Sequence, residues 1–393
     1  MSDESDATGG RPARVQTLLA HGGLDPHGYH GFVNPPVVHA STVLYPDVET
    51  TRTRAQRYTY GRSGTPTTDA LCDLVSALEG AEKTVLAPTG LAACTVAIAA
   101  MVKAGDRILV VDNVYNPTRK FCDGFLTRFG VETVYFDPTD LQTFRTLLEQ
   151  PTAVVFFEAP GSVTFEMCDV PAIIALAKAA GAVTMMDNSW ATPLFFRPLE
   201  HGCDLSIHAA TKYLAGHSDL LLGTVAGNGE VIAQVRKTWD EWGENAAPDD
   251  VYMTLRGMRT LDVRMERHQR NARIVAEWLA ADSRVSRVLY PALPGAPGHN
   301  LWKRDFDGAS SLFAITFKGR PDADVVTFVD SLRLFGIGYS WGGFESLATL
   351  QPAHAMRVTM DWPQDEAVVR LHVGLDDPAD LIEDLDQAMA HLG

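Results

Sequence analysis

The sequence predicts an α/β protein: a large domain on a mainly parallel sheet, followed by a smaller α+β domain. Three observations predict it. Between residues 83 and 227, short runs rich in Val, Ile and Phe alternate with helical patterns. Repeated βα units with short links form a parallel sheet covered by helices. The Asp-rich turn AAPDD at 246–250 then breaks the alternation, and shorter, mixed elements follow it. A chain of 393 residues also exceeds what one compact core holds. The segments expected are 1–60, a tail and arm; 61–250, the α/β domain; and 251–393, the α+β domain.

The elements follow in order. Residues 1–13 open as MSDESDATGG, read as a disordered tail without the basic-then-apolar pattern of a signal peptide. APTGLAAC (87–94) places Thr89 and Gly90 at a helix start. RILVVD (107–112), VETVYFD (131–137), AVVFFEAP (153–160) and AVTMMDN (182–188) suit strands buried on both faces. In TDLQTFRTLLEQ, Leu141, Phe144, Leu147 and Leu148 share one helical face. VPAIIALAKAAG has Asp169 before it, Pro171 in its first turn and Gly181 at its end, which are helix start and stop signals. LSIHAAT reads as a buried strand leading to Lys212. Beyond the break, a long helix is expected over 251–282, a Pro/Gly loop over 290–300 and a half-exposed strand over 311–318. A helix through VVTFVDSLRLF, a strand over 368–375 and a closing helix over 377–391 complete the chain.

Composition narrows the function. A net charge of −16 disfavours nucleic acid and anionic membrane surfaces. No apolar run reaches the roughly 20 residues of a membrane span. The five cysteines form no CxxC pair, which suits reduced thiols and a cytoplasmic protein better than a disulfide framework or a zinc site. His27 and His30 stand three apart without an evident third ligand, so no metal site is expected.

Three features fall at strand ends, where parallel sheets gather their ligands. Asp187 ends one strand, Lys212 follows another, and Thr89–Gly90 opens a helix. Taken singly, each has an ordinary explanation: a cap, a solvated lysine with a packed stem, a turn. No GxxxxGK[ST] precedes Lys212, GHSDL is not GxSxG, and no GxGxxG follows the first strand. Together they say more. A lysine buried among small residues can lose its proton and form a Schiff base with a carbonyl. An aspartate would keep a pyridine nitrogen protonated. A helix start, with glycine allowing close approach, would hold a phosphate. Those are the needs of pyridoxal phosphate.

The segment SIHAATKYLAGHSDLLLGT around Lys212 resembles the cofactor-lysine segment of the Cys/Met-metabolism family of pyridoxal-phosphate enzymes. The likeness extends through YTYGRSGTPT (58–67), VYNPTRKFC (114–122), MDNSWATPLFFRPLEHGCDLSIHAATKYLAGHSD (186–219), TLRGMRTLDVRM (254–265), YSWGGFESL (339–347) and RLHVGL (370–375). It implies the aspartate-aminotransferase-like, type I fold. Within the family the chain is most similar to the bacterial cystathionine β-lyases.

The resemblance implies a role for each matching position. Lys212 would bind the cofactor covalently and move protons. Asp187 would pair with the pyridine nitrogen, and Tyr115 would stack on the ring. Gly90, Leu91 and Thr211 would hold the phosphate. Tyr60 and Arg62 would reach it from the neighbouring subunit, so residues 1–60 would serve a partner copy, in a homodimer and in a homotetramer of the usual family kind. Arg370 would clamp the substrate carboxylate, with Tyr339, Ser340 and Trp341 beside it. His208 and His217 flank the lysine and receive no role.

The implied reaction is α,β-elimination: L-cystathionine to homocysteine, pyruvate and ammonia. The γ-acting relatives usually carry a carboxylate where Tyr339 stands, whereas YSWGG has the β-lyase form. Ser63 and Lys120 depart from the familiar β-lyases, which carry an arginine and an aspartate at these positions, facing the distal end of the substrate. Cystine or another S-substituted cysteine is therefore an alternative substrate. γ-Cleavage or γ-synthesis and a non-catalytic cofactor-binding protein are alternative functions.

Overall fold

A computed structural model describes residues 13–392. The tail expected over 1–13 lies outside them, except for residue 13.

Seven strands form the larger sheet: β1 (Lys83–Ala87), β2 (Arg107–Val111), β3 (Glu132–Phe136), β4 (Val154–Glu158), β5 (Val183–Asp187), β6 (Leu205–His208) and β7 (Gly223–Gly227). Their spatial order is β1-β7-β6-β5-β4-β2-β3. From β6 to β3 every pairing is parallel, while β7 runs antiparallel to both its neighbours. The four strands expected between 107 and 188 all form, trimmed by one or two residues at an end. In β2 and β4 every residue is buried, which is why these strands read as continuous apolar runs and not as alternation.

Local signals set the helices over this sheet. The Thr89 hydroxyl caps Gly90–Ala100, Asp140 caps Leu141–Leu147, and Asp169 caps Val170–Ala179 with Pro171 in its first turn. The single helix expected over 251–282 is instead two, Pro248–Met258 and Leu261–Ala281. The Gly257 carbonyl takes the Thr260 N–H at 3.2 Å and the Arg264 guanidinium at 2.8 Å, which ends the first helix in a tight turn.

The smaller sheet contains β8 (Arg287–Leu289), β9 (Leu312–Lys318), β10 (Gly336–Ile337), β11 (Leu347–Gln351) and β12 (Glu366–His372), in the order β10-β11-β12-β9-β8. All its pairings are antiparallel except β10 with β11. Only Lys318 of β9 is exposed, so the half-exposed strand expected at 311–318 is a buried one. The helix Asp322–Asp330 packs on it through Phe328 and Phe317, and the Trp190 indole of the larger domain donates to the Leu312 carbonyl at 2.9 Å. Among the described residues, no helix is long and apolar enough to cross a membrane.

Candidate active site

The parallel register levels the carboxyl ends of β4, β5 and β6, pairing Glu158 with Asp187 and Asp187 with Ile207. Lys212 follows on the turn after β6, where its N–H donates to the Ala209 carbonyl at 2.9 Å and its carbonyl accepts from Gly216 at 2.7 Å. The buried Arg264 donates to the carbonyls of Tyr213 at 2.8 Å and Leu214 at 3.4 Å, fixing that turn from behind.

The Lys212 ammonium donates to the Ser340 hydroxyl at 2.6 Å and lies 5.1 Å from the centre of the Trp341 ring. Its pKa is lowered to about 8, by burial first and then by the Arg370 charge, with the Asp187 charge opposing both. An amine in that range supplies both proton donor and free base near neutral pH. Arg370, on β12, donates to the Ser340 carbonyl at 3.2 Å, and burial lowers its own pKa to about 10. Ser340 sits at a φ of 81°, a left-handed conformation that a non-glycine residue holds only when its surroundings impose it.

Asp187 is held by Ser189, whose N–H and hydroxyl donate to one carboxylate oxygen at 3.0 and 2.6 Å. The Cys94 thiol lies 3.7 Å from the other oxygen. Cys94 stands one turn along the helix that begins at Gly90, so a single helix serves both the carboxylate and the anion cradle. The first amides of that helix, on Gly90 and Leu91, have no carbonyl four residues back to bond, as at any helix start. A Cβ on Gly90 would lie 2.4 Å from that of Ala209, so only glycine lets the helix start approach the lysine segment. The Thr211 hydroxyl is engaged with the Leu222 backbone, accepting its N–H at 3.0 Å and donating to its carbonyl at 3.2 Å.

Tyr115 is positioned from below. Its N–H donates to Glu158 at 2.5 Å, and Ser162 donates to the other Glu158 oxygen at 2.9 Å. Burial, and then the Asp187 charge, push the Glu158 carboxyl up to about 8. The Tyr115 hydroxyl is raised by burial first, then by Cys94, Asp187 and Glu158, and is lowered by Arg370. Tyr115 nevertheless stays 42% exposed. Tyr339 is more open still, at 87%.

Lys212, Ser340, Trp341 and Arg370 are thus joined by direct contacts, the Asp187 charge acts on Lys212, and the Arg370 charge acts on the Tyr115 hydroxyl. Tyr60 and Arg62 are not joined to this group by any hydrogen bond among the described residues. Arg62 instead lies 3.3 Å from Asp240 and over the Trp239 ring, on the helix Gly229–Trp242. The Ser63 carbonyl accepts from Arg236 at 3.0 Å, and Lys120 ends the short helix Asn116–Lys120. His208 points into the interior and pairs with the buried Glu79; His217 is exposed and bonds the Ala215 carbonyl. Sequence reasoning missed Glu158, Cys94 and Ser189. Only Glu158 carried a usable signal, being a strand-end acid like Asp187.

The residues present fit pyridoxal phosphate. They combine an amine of lowered pKa, a hydrogen-bonded carboxylate at the neighbouring strand end, and a helix start cleared by a glycine. Residues 16–390 match the family described as Cys/Met metabolism PLP-dependent enzymes. The chain belongs to this family. It is 52% identical to a protein of Rhizobium johnstonii provisionally named cystathionine β-lyase, over 96% of each chain. It is 40% identical to the cystathionine β-lyase of Escherichia coli, over 96% of this chain and 99% of that one. The solved structure of cystathionine γ-synthase from Xanthomonas oryzae in complex with cystathionine superposes with a TM-score of 0.90 at 30% identity, over 97% of this chain and 99% of that one. The fold is therefore the aspartate-aminotransferase-like, type I fold of pyridoxal-phosphate enzymes.

Proposed function

We propose that the chain is a carbon–sulfur β-lyase that cleaves L-cystathionine to homocysteine, pyruvate and ammonia. One observation carries the reading: the Lys212 amine, its pKa lowered to about 8, faces the Arg370 guanidinium across Ser340. That spacing offers a base and a carboxylate clamp to one amino acid at once.

When bound, pyridoxal phosphate supplies an aldehyde for imine formation and a protonated ring that accepts the electrons left when Cα loses its proton. Lys212 Nζ takes that proton. Asp187, with one oxygen held by Ser189, would keep the ring nitrogen charged. Arg370 grips the α-carboxylate with its planar fork. Tyr115, held by Glu158, would stack on the ring. The amides of Gly90 and Leu91 would hold the phosphate, and Thr211 would contribute through its placement of the segment before Lys212. Tyr339, where the γ-acting relatives usually carry a carboxylate, and Trp341 favour loss of the β-substituent over γ-chemistry.

The same reading makes the protein a homodimer or a homotetramer, a dimer of dimers. Tyr60, half exposed, and Arg62 would complete the partner's phosphate site. The surrounding arm leaves Phe32, Leu44 and Val48 between 71% and 85% exposed, as befits a surface that another copy covers. Five free thiols suit the reducing cytoplasm.

Product analysis tests the reaction. Pyruvate from L-cystathionine supports β-cleavage, and 2-oxobutyrate would establish γ-cleavage instead. L-Cystine and L-cysteine assayed beside it rank the substrates at the distal end, where Ser63 and Lys120 depart from the familiar pattern.

A further inference from the structure

Behind Lys212 lies a buried polar cluster that the reaction does not use. Tyr213, Ser311, His268 and His372 are each at most 1% exposed, and they come from four separate segments. The Tyr213 hydroxyl accepts the Ser311 N–H at 3.0 Å and lies 3.1 Å from the Ser311 hydroxyl. That hydroxyl is 3.2 Å from His372 Nδ1 and 3.1 Å from His268 Nδ1, and the same His268 nitrogen faces the Val373 carbonyl at 3.1 Å. His372 Nε2 closes the chain on the loop above, 3.1 Å from the Gly342 nitrogen and 3.2 Å from the Gly343 carbonyl.

The tautomer follows from what burial tolerates. Burial first, then His268, Arg370 and Lys212, hold His372 neutral, with a pKa well below the ordinary range. A buried N–H without an acceptor costs more than a carbonyl with a free lone pair. Nε2 therefore accepts from Gly342, and Nδ1 donates to Ser311.

Gly342 is a sensitive point to hold. It has a φ of 89°, and a Cβ there would lie 2.8 Å from the Tyr213 nitrogen and 2.9 Å from the Lys212 carbonyl carbon. The loop rests directly on the peptide that follows the lysine. Two residues earlier, Ser340 accepts from the Lys212 ammonium. Two residues before His372 on β12, Arg370 donates to the Ser340 carbonyl. We infer that His372 is a positioning residue: by holding Gly342 it sets Ser340 against Lys212 and so maintains the hydrogen bond between them. The inference deepens the proposed function and rests on it for the importance of that bond, though not for the geometry.

The charged groups facing Lys212 are Asp187 from β5 and Arg370 from β12, with neutral His372 beneath and the Trp341 ring beside. None of these charges changes when His372 is replaced by a neutral side chain. A change in the titration near Lys212 then reports the loop.

Two measurements on the full-length, purified protein test this. The first is deuterium uptake over residues 339–343. H372F and H372N remove the acceptor for Gly342 and should speed exchange there at least about tenfold. H372Q restores an acceptor and should return exchange to the wild-type rate. The second is the pH titration of the visible absorbance of bound pyridoxal phosphate. S340A should move its midpoint by about one pH unit, the scale of one lost hydrogen bond. H372F or H372N should move it in the same direction, the S340A/H372N double variant no further than S340A alone, and H372Q not at all. Should H372F fail to fold, the H372N and H372Q pair decides. Unchanged exchange in H372N, or a midpoint shift additive with that of S340A, overturns the inference. A wild-type protein that takes up no pyridoxal phosphate defeats the proposed function instead, and the exchange comparison still decides the role of His372.

Discussion

The Lys212 amine of the larger domain lies 2.6 Å from the Ser340 hydroxyl, on the loop that leads from the edge strand β10 toward β11. The Lys212 turn and the loop that faces it are therefore one hydrogen-bonded unit. Arg370 joins the same loop at the Ser340 carbonyl, so the guanidinium and the amine are both placed by one residue.

Burial does most to lower the Lys212 pKa, and two opposed charges then act on it. In protein stripped of cofactor, acylation of Lys212 should follow a midpoint near pH 8. Asp187 favours the ammonium, so D187N should lower that midpoint. Arg370 disfavours it, so R370M should raise it. Peptide-resolved acylation rates across pH 6–10 check both signs, and a shift of either variant in the other direction contradicts the assignment.

The glycine at the helix start is a second point of leverage. G90A places a methyl 2.4 Å from the Ala209 side chain, so either the helix or the lysine segment must give way. The cost expected is about 1–3 kcal/mol, taken from the folded site and from cofactor retention. Equilibrium dialysis of pyridoxal phosphate should show at least tenfold weaker binding, with free phosphate binding reduced in parallel.

The proposed sharing of the site between copies predicts complementation. K212A lacks its own amine but still offers Arg62, and R62A has the converse defect. Mixed dimers of the two, formed by co-expression, should regain activity at about a quarter of all sites, since half the dimers are mixed and each has one intact site. Activity no higher than that of the two variants alone would place Arg62 in a site within its own chain.

Acid should weaken the fold through the buried histidines. Burial lowers His268 from the ordinary value near 6.5 to about 4. At neutral pH both the folded and unfolded forms are uncharged there. As pH falls below about 6.5 the unfolded chain binds a proton that the folded chain refuses, so stability is lost down to pH about 4. The loss from this residue is about 3 kcal/mol. H268N keeps a donor for the Val373 carbonyl but cannot titrate, so its urea midpoint should fall less than the wild-type midpoint between pH 7 and 4.5.

What could be read from the sequence was local. Strands such as RILVVD and AVVFFEAP declare themselves because burial on both faces demands unbroken apolar runs. Asp187 and Lys212 stand out because they end such runs. The reversal of β7 was not legible, since a short apolar strand carries no mark of direction. The break after Met258 depends on Arg264 capturing the Gly257 carbonyl, a contact that no helical periodicity encodes. The cluster of Tyr213, His268, Ser311 and His372 is a product of tertiary convergence. Its members are separated by up to 159 positions and each alone looks like an ordinary core polar residue. Arg62 was expected from a resemblance to act on a partner copy, and a single chain shows it beside Asp240.

The most direct test is to trap the cofactor where it is bound. Borohydride reduction of the purified protein, followed by proteolysis and mass spectrometry, should place one pyridoxyl-phosphate adduct per chain on the peptide containing Lys212, and K212A should carry none. An adduct on any other lysine, or an unmodified Lys212 in a protein that turns over cystathionine, contradicts the account.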